Sequence, residues 1–209
     1  LLADLAQLAP YDNCVKIIVT RGETERGYLA PANICTNRIV QLAPLPVYPN
    51  SLYREGVLLV VCQTRASWQP ALAGVKHLNR LENVLARREW CDPAVFDGLM
   101  LNQDGNVVEG VMSNVFALCG GELLTPILNE SGVSGVCRAK LIAAALKAGI
   151  PVRETVLSLS QLLQADAVWV CNSLLGFVPV RQVAERHWDV TQIPAPLQRL
   201  LQDLNSELL

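Results

Sequence analysis

Four short stretches hold residue types that can do chemistry beyond folding. The first is Ala73-Gly74-Val75-Lys76-His77-Leu78-Asn79-Arg80-Leu81-Glu82, which crowds charged and polar groups where a helical pattern begins. A lysine near a helix start sits where the dipole disfavours a cation, so its amine loses charge more easily and can attack an aldehyde. The plainer reading of Lys76 is a solvated surface lysine. The second is Glu109, which ends the apolar run Asn106-Val107-Val108 and precedes Gly110. A carboxylate there needs a partner, or its pKa rises; otherwise it is a sheet-edge glutamate in water. The third is Ser131-Gly132-Val133-Ser134-Gly135-Val136-Cys137-Arg138, which leads into a helix and offers free backbone N–H groups to an anion, or simply caps that helix. The fourth, Cys171-Asn172-Ser173, ends an apolar strand, a place where binding groups often stand.

Taken together, the four match the needs of one cofactor. A nucleophilic lysine, a buried carboxylate, a helix N-terminus and a strand-end hydroxyl are what pyridoxal phosphate requires. The lysine would form the imine, the carboxylate would keep the pyridine nitrogen protonated, and the helix end with the hydroxyl would take the phosphate.

The elements that must position these groups are legible in outline. Val15 to Thr20, Asn37 to Leu42 and Gly56 to Cys62 read as strands, with an extended proline-rich connection from Ala43 to Asn50. Trp68 to Lys76 reads as irregular, and Leu78 to Trp90 as a helix. Gly98 to Leu101 and Asn106 to Glu109 flank the turn Asp104-Gly105; Asn114 to Cys119 and Glu122 to Leu124 flank Gly120-Gly121. Val136 to Ala148 is a helix stopped by Gly149 and Pro151. A strand from Val152 to Val156 and a serine-capped helix from Ser158 to Gln164 follow. Strands at Ala167 to Cys171 and Phe177 to Val183, and a helix from Pro196 with Leu197, Leu200, Leu201 and Leu204 on one stripe, complete the pattern. Mixed strands and helices predict an α+β or α/β fold. A composition shift divides it into a small first domain over 1–67, a linker over 68–75 and a larger domain over 76–209. Leu1, Leu2, Leu5 and Leu8 suggest the middle of an amphipathic helix, and the chain begins without Met, so a longer front is expected.

Composition narrows the function. The 209 residues are 51% hydrophobic and 17% charged, enough to fill a core. A net charge of −2 lacks the footprint of a nucleic-acid binder or a polybasic membrane anchor. No apolar run of about 18 residues predicts a membrane span. Seven cysteines without a CxxC pair read as free thiols in a reducing cytosol, and two histidines, His77 and His187, give a metal site little support. Phosphate-loop, dinucleotide and nucleophile-elbow motifs are absent.

The order and spacing of the four stretches resemble the fold type IV pyridoxal phosphate enzymes, over about Val15 to Val183. Within that set, Gly74-Val75-Lys76-His77-Leu78-Asn79-Arg80-Leu81-Glu82 is most similar to the aminodeoxychorismate lyases, since the aminotransferases more often carry an aromatic residue where Arg80 stands. Arg21-Gly22-Glu23-Thr24-Glu25-Arg26-Gly27-Tyr28 resembles the RGxxxRGY stretch of the same lyases. The resemblance implies a small and a larger domain, a homodimer with active sites near the interface, and pyridoxal 5'-phosphate as cofactor. It makes Lys76 the Schiff-base lysine and proton-transfer base, and Glu109 the partner of the pyridine nitrogen. It sets the Val136 and Cys137 amides and the Ser173 hydroxyl on the phosphate, and Arg26 and Tyr28 on the substrate. It implies conversion of 4-amino-4-deoxychorismate to 4-aminobenzoate and pyruvate, in folate biosynthesis in the cytoplasm. A branched-chain or D-amino acid aminotransferase, and a non-catalytic binding protein on a decayed scaffold, are the alternatives. One departure stands out: family chains begin about 60 to 70 residues earlier, a small-domain length, with an HxxRL segment whose arginine grips the phosphate.

Overall fold

The computed structural model describes residues 13–208. The leucine pattern expected over Leu1 to Leu8 lies outside them. The chain divides into two compact units, before and after the boundary between Val47 and Tyr48. That boundary falls earlier than the linker expected over 68–75.

In the first unit, β1 (Asn13–Thr20) and β2 (Asn37–Pro44) pair antiparallel, from Asn13 opposite Pro44 to Thr20 opposite Asn37. Both strands carry β-branched residues along this pairing, at Val15, Ile17, Ile18, Ile39 and Val40.

The second unit is built on a ten-stranded sheet in the order β8-β7-β6-β10-β11-β3-β4-β5-β9, with β12 (Arg186–His187) paired to β11. Its middle consists of β10 (Ala167–Asn172), β11 (Gly176–Val183), β3 (Val57–Val61) and β4 (Val95–Leu101). These strands read as continuous apolar runs because both faces are covered. Residues 57–61, expected in the first domain, thus lie between β11 and β4, with parallel pairing on both sides. On the β4 side, β5 (Asn106–Gly110) and β9 (Leu157–Ser158) follow; on the β10 side, β6 (Asn114–Cys119), β7 (Glu122–Pro126) and β8 (Val152–Thr155). Gly120 and Gly121 both have positive φ, +57° and +88°, which is what the tight β6–β7 turn needs.

One side of the sheet packs a cluster that includes Leu59, Leu99, Val170, Val178 and Trp188; the other packs Phe116, Leu123, Trp169 and Phe177 against helices. Those helices are α3 (Val136–Lys147), which buries Cys137, Leu141 and Ala145, and α5 (Ala195–Leu208), which buries Leu197, Leu201 and Leu204. The short α1 (Ser51–Glu55) and α4 (Leu159–Gln164) complete the layer pattern. Ser158 caps α4 in a reciprocal box with Gln161, as the serine cap predicts. The helix after Lys76, α2, spans Leu81–Arg87 and is shorter than the expected Leu78 to Trp90. Its apolar stripe gives a longer helix little support, since Leu78, Leu81, Val84 and Leu85 are each about half or more exposed.

Candidate active site

Glu109 is the carboxylate around which the site is arranged. It lies on β5, opposite Met100 of β4, and is only 4% exposed. The Val133 N–H donates to its Oε2 at 2.8 Å, and the Arg80 Nη1 stands 3.7 Å from Oε1. Burial pushes its pKa up to about 7, against the Val133 hydrogen bond and the positive charges of Arg80 and Lys76, which pull it down. It is therefore not a sheet-edge glutamate in water. It faces a cavity of about 590 Å³ that Ser67, His77, Arg80, Ser131 and Gly132 also line.

Lys76 is placed by backbone pairing, not by a helix. The helix starts only at Leu81, so Lys76 stands in irregular chain ahead of it and is exposed. Lys76 is therefore outside the first turn of the helix, and the dipole effect expected of a helix start does not apply to it. Gly74 forms a parallel bridge with Val133: the Gly74 N–H donates to the Gly132 carbonyl at 3.0 Å, and the Ser134 N–H to the Gly74 carbonyl at 3.0 Å. Gly74 has φ +78°, which a side chain would strain. Lys76 is not among the residues that line the cavity, although its charge is felt at Glu109.

The same loop, residues 131–135, leads to the N-terminus of α3. Gly135 precedes that helix with no side-chain cap, so the first-turn amides of Val136 and Cys137 have no carbonyl a turn earlier to bond. Asn114 fills the space beside Gly135: a Cβ there would meet the Asn114 Oδ1 at 2.1 Å, and the Asn114 Nδ2 donates to the Val133 carbonyl at 2.8 Å. Behind the helix start, buried Arg138 donates through Nη2 to the Pro126 carbonyl at 2.9 Å and to Glu154 at 2.6 Å. Ser173 stands exposed just past β10, where its hydroxyl favours the Cys137 thiolate, although burial raises the pKa of that thiol on balance. Val136, Cys137 and Ser173 therefore meet at one helix end.

Segment 131–138 thus ties three of these features together. It pairs with Gly74, donates to Glu109 and ends in the uncapped helix. Arg26 and Tyr28 lie in the first unit and are exposed there, Tyr28 fully. Two contributors to the site are not legible as such in the sequence. For Arg80 the sequence gives the residue type and no sign of its pairing with Glu109. Asp97, 1% exposed, accepts from the Ser113 hydroxyl at 2.7 Å and from the Gly98 N–H at 2.8 Å, and so fixes the chain just after Glu109. A lone acid inside the apolar run Val95-Phe96-Asp97-Gly98-Leu99 was the available signal.

The amino-transferase class IV family matches residues 1–183. The chain belongs to that family. It is 36% identical over 196 residues to the aminodeoxychorismate lyase of Vibrio harveyi, covering 93% of this chain and 70% of that one. It is also 36% identical over 137 residues to a probable branched-chain-amino-acid aminotransferase of Thermotoga maritima, covering 66% of this chain and 48% of that one. Among solved structures, the 4-amino-4-deoxychorismate lyase of Pseudomonas aeruginosa superposes with a TM-score of 0.89 at 44% identity, over 99% of this chain and 73% of that one. The fold is that of the fold type IV enzymes.

Pyridoxal phosphate, the cofactor of this class, fits the residues present. The uncapped α3 end offers two amides and a hydroxyl to a dianion, and a buried carboxylate faces the cavity as an acceptor.

Proposed function

We propose that this protein is an aminodeoxychorismate lyase, which converts 4-amino-4-deoxychorismate to 4-aminobenzoate and pyruvate in folate biosynthesis. The observation that carries the reading is the joint placement of Glu109, the Gly74–Val133 bridge and the α3 N-terminus through one loop. Similarity to two lyases over nearly the whole chain selects the lyase within the family.

Pyridoxal phosphate, when bound, supplies an aldehyde carbon that takes up amines and a ring that accepts electrons. Lys76 would hold that carbon through its amine and, when free, would be the base that removes the proton from the substrate carbon bearing nitrogen. Glu109, as a carboxylate, would accept the hydrogen bond of the pyridine nitrogen. The Val136 and Cys137 amides and the Ser173 hydroxyl would hold the phosphate. As the proton leaves, the bond from the neighbouring carbon to the enolpyruvyl oxygen breaks. The six-membered ring becomes aromatic, and the leaving group gains a proton to become pyruvate. Aromatisation supplies driving force, so the protein chiefly positions groups. Arg26, whose planar fork suits a carboxylate, and Tyr28 are the substrate contacts, on the strength of the RGxxxRGY pattern.

A homodimer is part of this proposal. Leu78, Leu81, Val84 and Leu85 are between 48% and 69% exposed around α2, an apolar face that a second copy would cover. The work belongs to the cytoplasm, as seven free cysteines suit a reducing compartment; among the described residues no helix is long and apolar enough to cross a membrane.

The test has two arms. Incubation with pyridoxal phosphate, borohydride reduction and peptide mass spectrometry should find the label on Lys76 alone. Pyruvate release from 4-amino-4-deoxychorismate, followed by lactate dehydrogenase, should exceed the uncatalysed rate and vanish in Lys76→Ala. Turnover of branched-chain amino acids with 2-oxoglutarate, and no pyruvate release, would replace the lyase with an aminotransferase.

A further inference from the structure

Arg80 stands between the lysine segment and Glu109 without itself holding substrate or cofactor in the proposed reaction. Its Nη2 donates to the carbonyl of Val75, the residue before Lys76, at 3.0 Å. Its Nη1 lies 3.7 Å from the Glu109 Oε1 and 3.9 Å from Glu82. One planar guanidinium therefore spans from the backbone of the lysine segment to the buried carboxylate. A lysine could reach only one of these at a time, because it is a point donor and not a fork.

We propose that Arg80 is a positioning residue that favours the carboxylate form of Glu109 and ties the lysine segment to it before the cofactor arrives. This rests on the reading of Lys76 and Glu109 as cofactor groups. The geometry leaves Glu109 free to act. At 3.7 Å the Arg80 contact is an ion pair and too long for a hydrogen bond, so Oε1 retains a lone pair for a ring N–H. The Val133 N–H holds only Oε2. Burial alone favours the neutral acid, which could not keep a pyridine nitrogen protonated. Arg80 and Lys76 oppose that burial, while Asp97 on β4 adds to it. Glu82 competes for the same guanidinium, and its looser 3.9 Å contact leaves Arg80 shared. Of the two positive charges, Arg80 acts more strongly on Glu109 and is not consumed in chemistry, whereas Lys76 must give up its proton to react.

The test begins without cofactor. The chain is labelled with 13C at glutamate carboxyls, and the Glu109 signal is assigned by its loss in Glu109→Gln. Arg80→Gln should raise the Glu109 titration midpoint by about one pH unit, because an opposite charge at this range is lost. Arg80→Lys should return most of that shift, and it also serves if the glutamine variant folds poorly. Pyridoxal phosphate affinity, read by absorbance, should fall at least tenfold in Arg80→Gln near pH 7. That gap should narrow toward pH 9, where Glu109 ionises unaided. A purely structural role predicts a loss that does not change with pH. A Glu109 midpoint that does not move in Arg80→Gln overturns the proposal. If the unaltered chain takes up no cofactor on Lys76, the proposed function fails, while the Glu109 titration still decides the role of Arg80.

Discussion

Burial pushes the proton of Glu109 on, while the Val133 amide, Arg80 and Lys76 pull it off; burial prevails, at a pKa of about 7 against the usual 4.5. The sign of the consequence follows from linkage. Between those two values the folded chain holds more protons than the unfolded one, so folded-state stability declines as pH rises from 4.5 toward 7. Glu109→Gln cannot ionise and escapes that decline. Thermal melts should show the variant gaining on the parent across this window, by an amount on the order of a few kcal/mol at its upper end. Its kcat/KM should nevertheless fall at least about a hundredfold, as when a preorganised charge partner is removed. Melting curves that stay parallel across the window would count against the buried carboxylate. Glu109 was legible as a candidate because an acid closing an apolar run demands a partner. The partner was not legible: the Val133 amide and the Arg80 guanidinium come from segments distant in sequence, and no local pattern announces a tertiary hydrogen bond.

Elements with strong local signals stand where their residues predict. The β4–β5 and β6–β7 turns fall on Asp104-Gly105 and Gly120-Gly121, and the capping box sits on Ser158. Elements that depend on tertiary context differ. The two-residue strand β9 exists only because Asn106 and Val107 offer an edge to Leu157 and Ser158. α2 is cut short because its stripe has nothing in the second unit to bury against. α3 needs no side-chain cap and instead needs space, which Gly135 leaves for Asn114. Gly135→Ala would drive a methyl group into the Asn114 Oδ1 and push the helix start aside. The expected cost is about 1–3 kcal/mol, typical of overpacking. Pyridoxal phosphate affinity, measured by absorbance titration, should fall by more than tenfold, because the Val136 and Cys137 amides would no longer converge. Affinity equal to that of the parent would mean that the phosphate lies elsewhere.

At the scale of the whole molecule, the exposed apolar face around α2 carries the assembly prediction. Leu81 lies at the rim of the cavity and is 69% exposed, so little of it is buried in its own unit. Leu81→Glu should therefore leave the melting of a monomer unchanged, while light scattering should show the dimer dissociating at micromolar concentration. A variant that stays dimeric would move the interface elsewhere. The Gly74–Val133 bridge has a further consequence, in the order of events during synthesis. Its two partners are far apart in the chain, so a polypeptide emerging from the ribosome exposes Lys76 and then Glu109 long before residue 133 can close the loop. A nascent chain arrested before Val133 holds a reactive amine and an unpaired acid with nothing to align them, and it should take up the aldehyde no better than an ordinary peptide does. On the proposed roles of these residues, selective capture should begin only once β5, β6 and β7 have folded, α3 has begun and β10 has brought in Ser173.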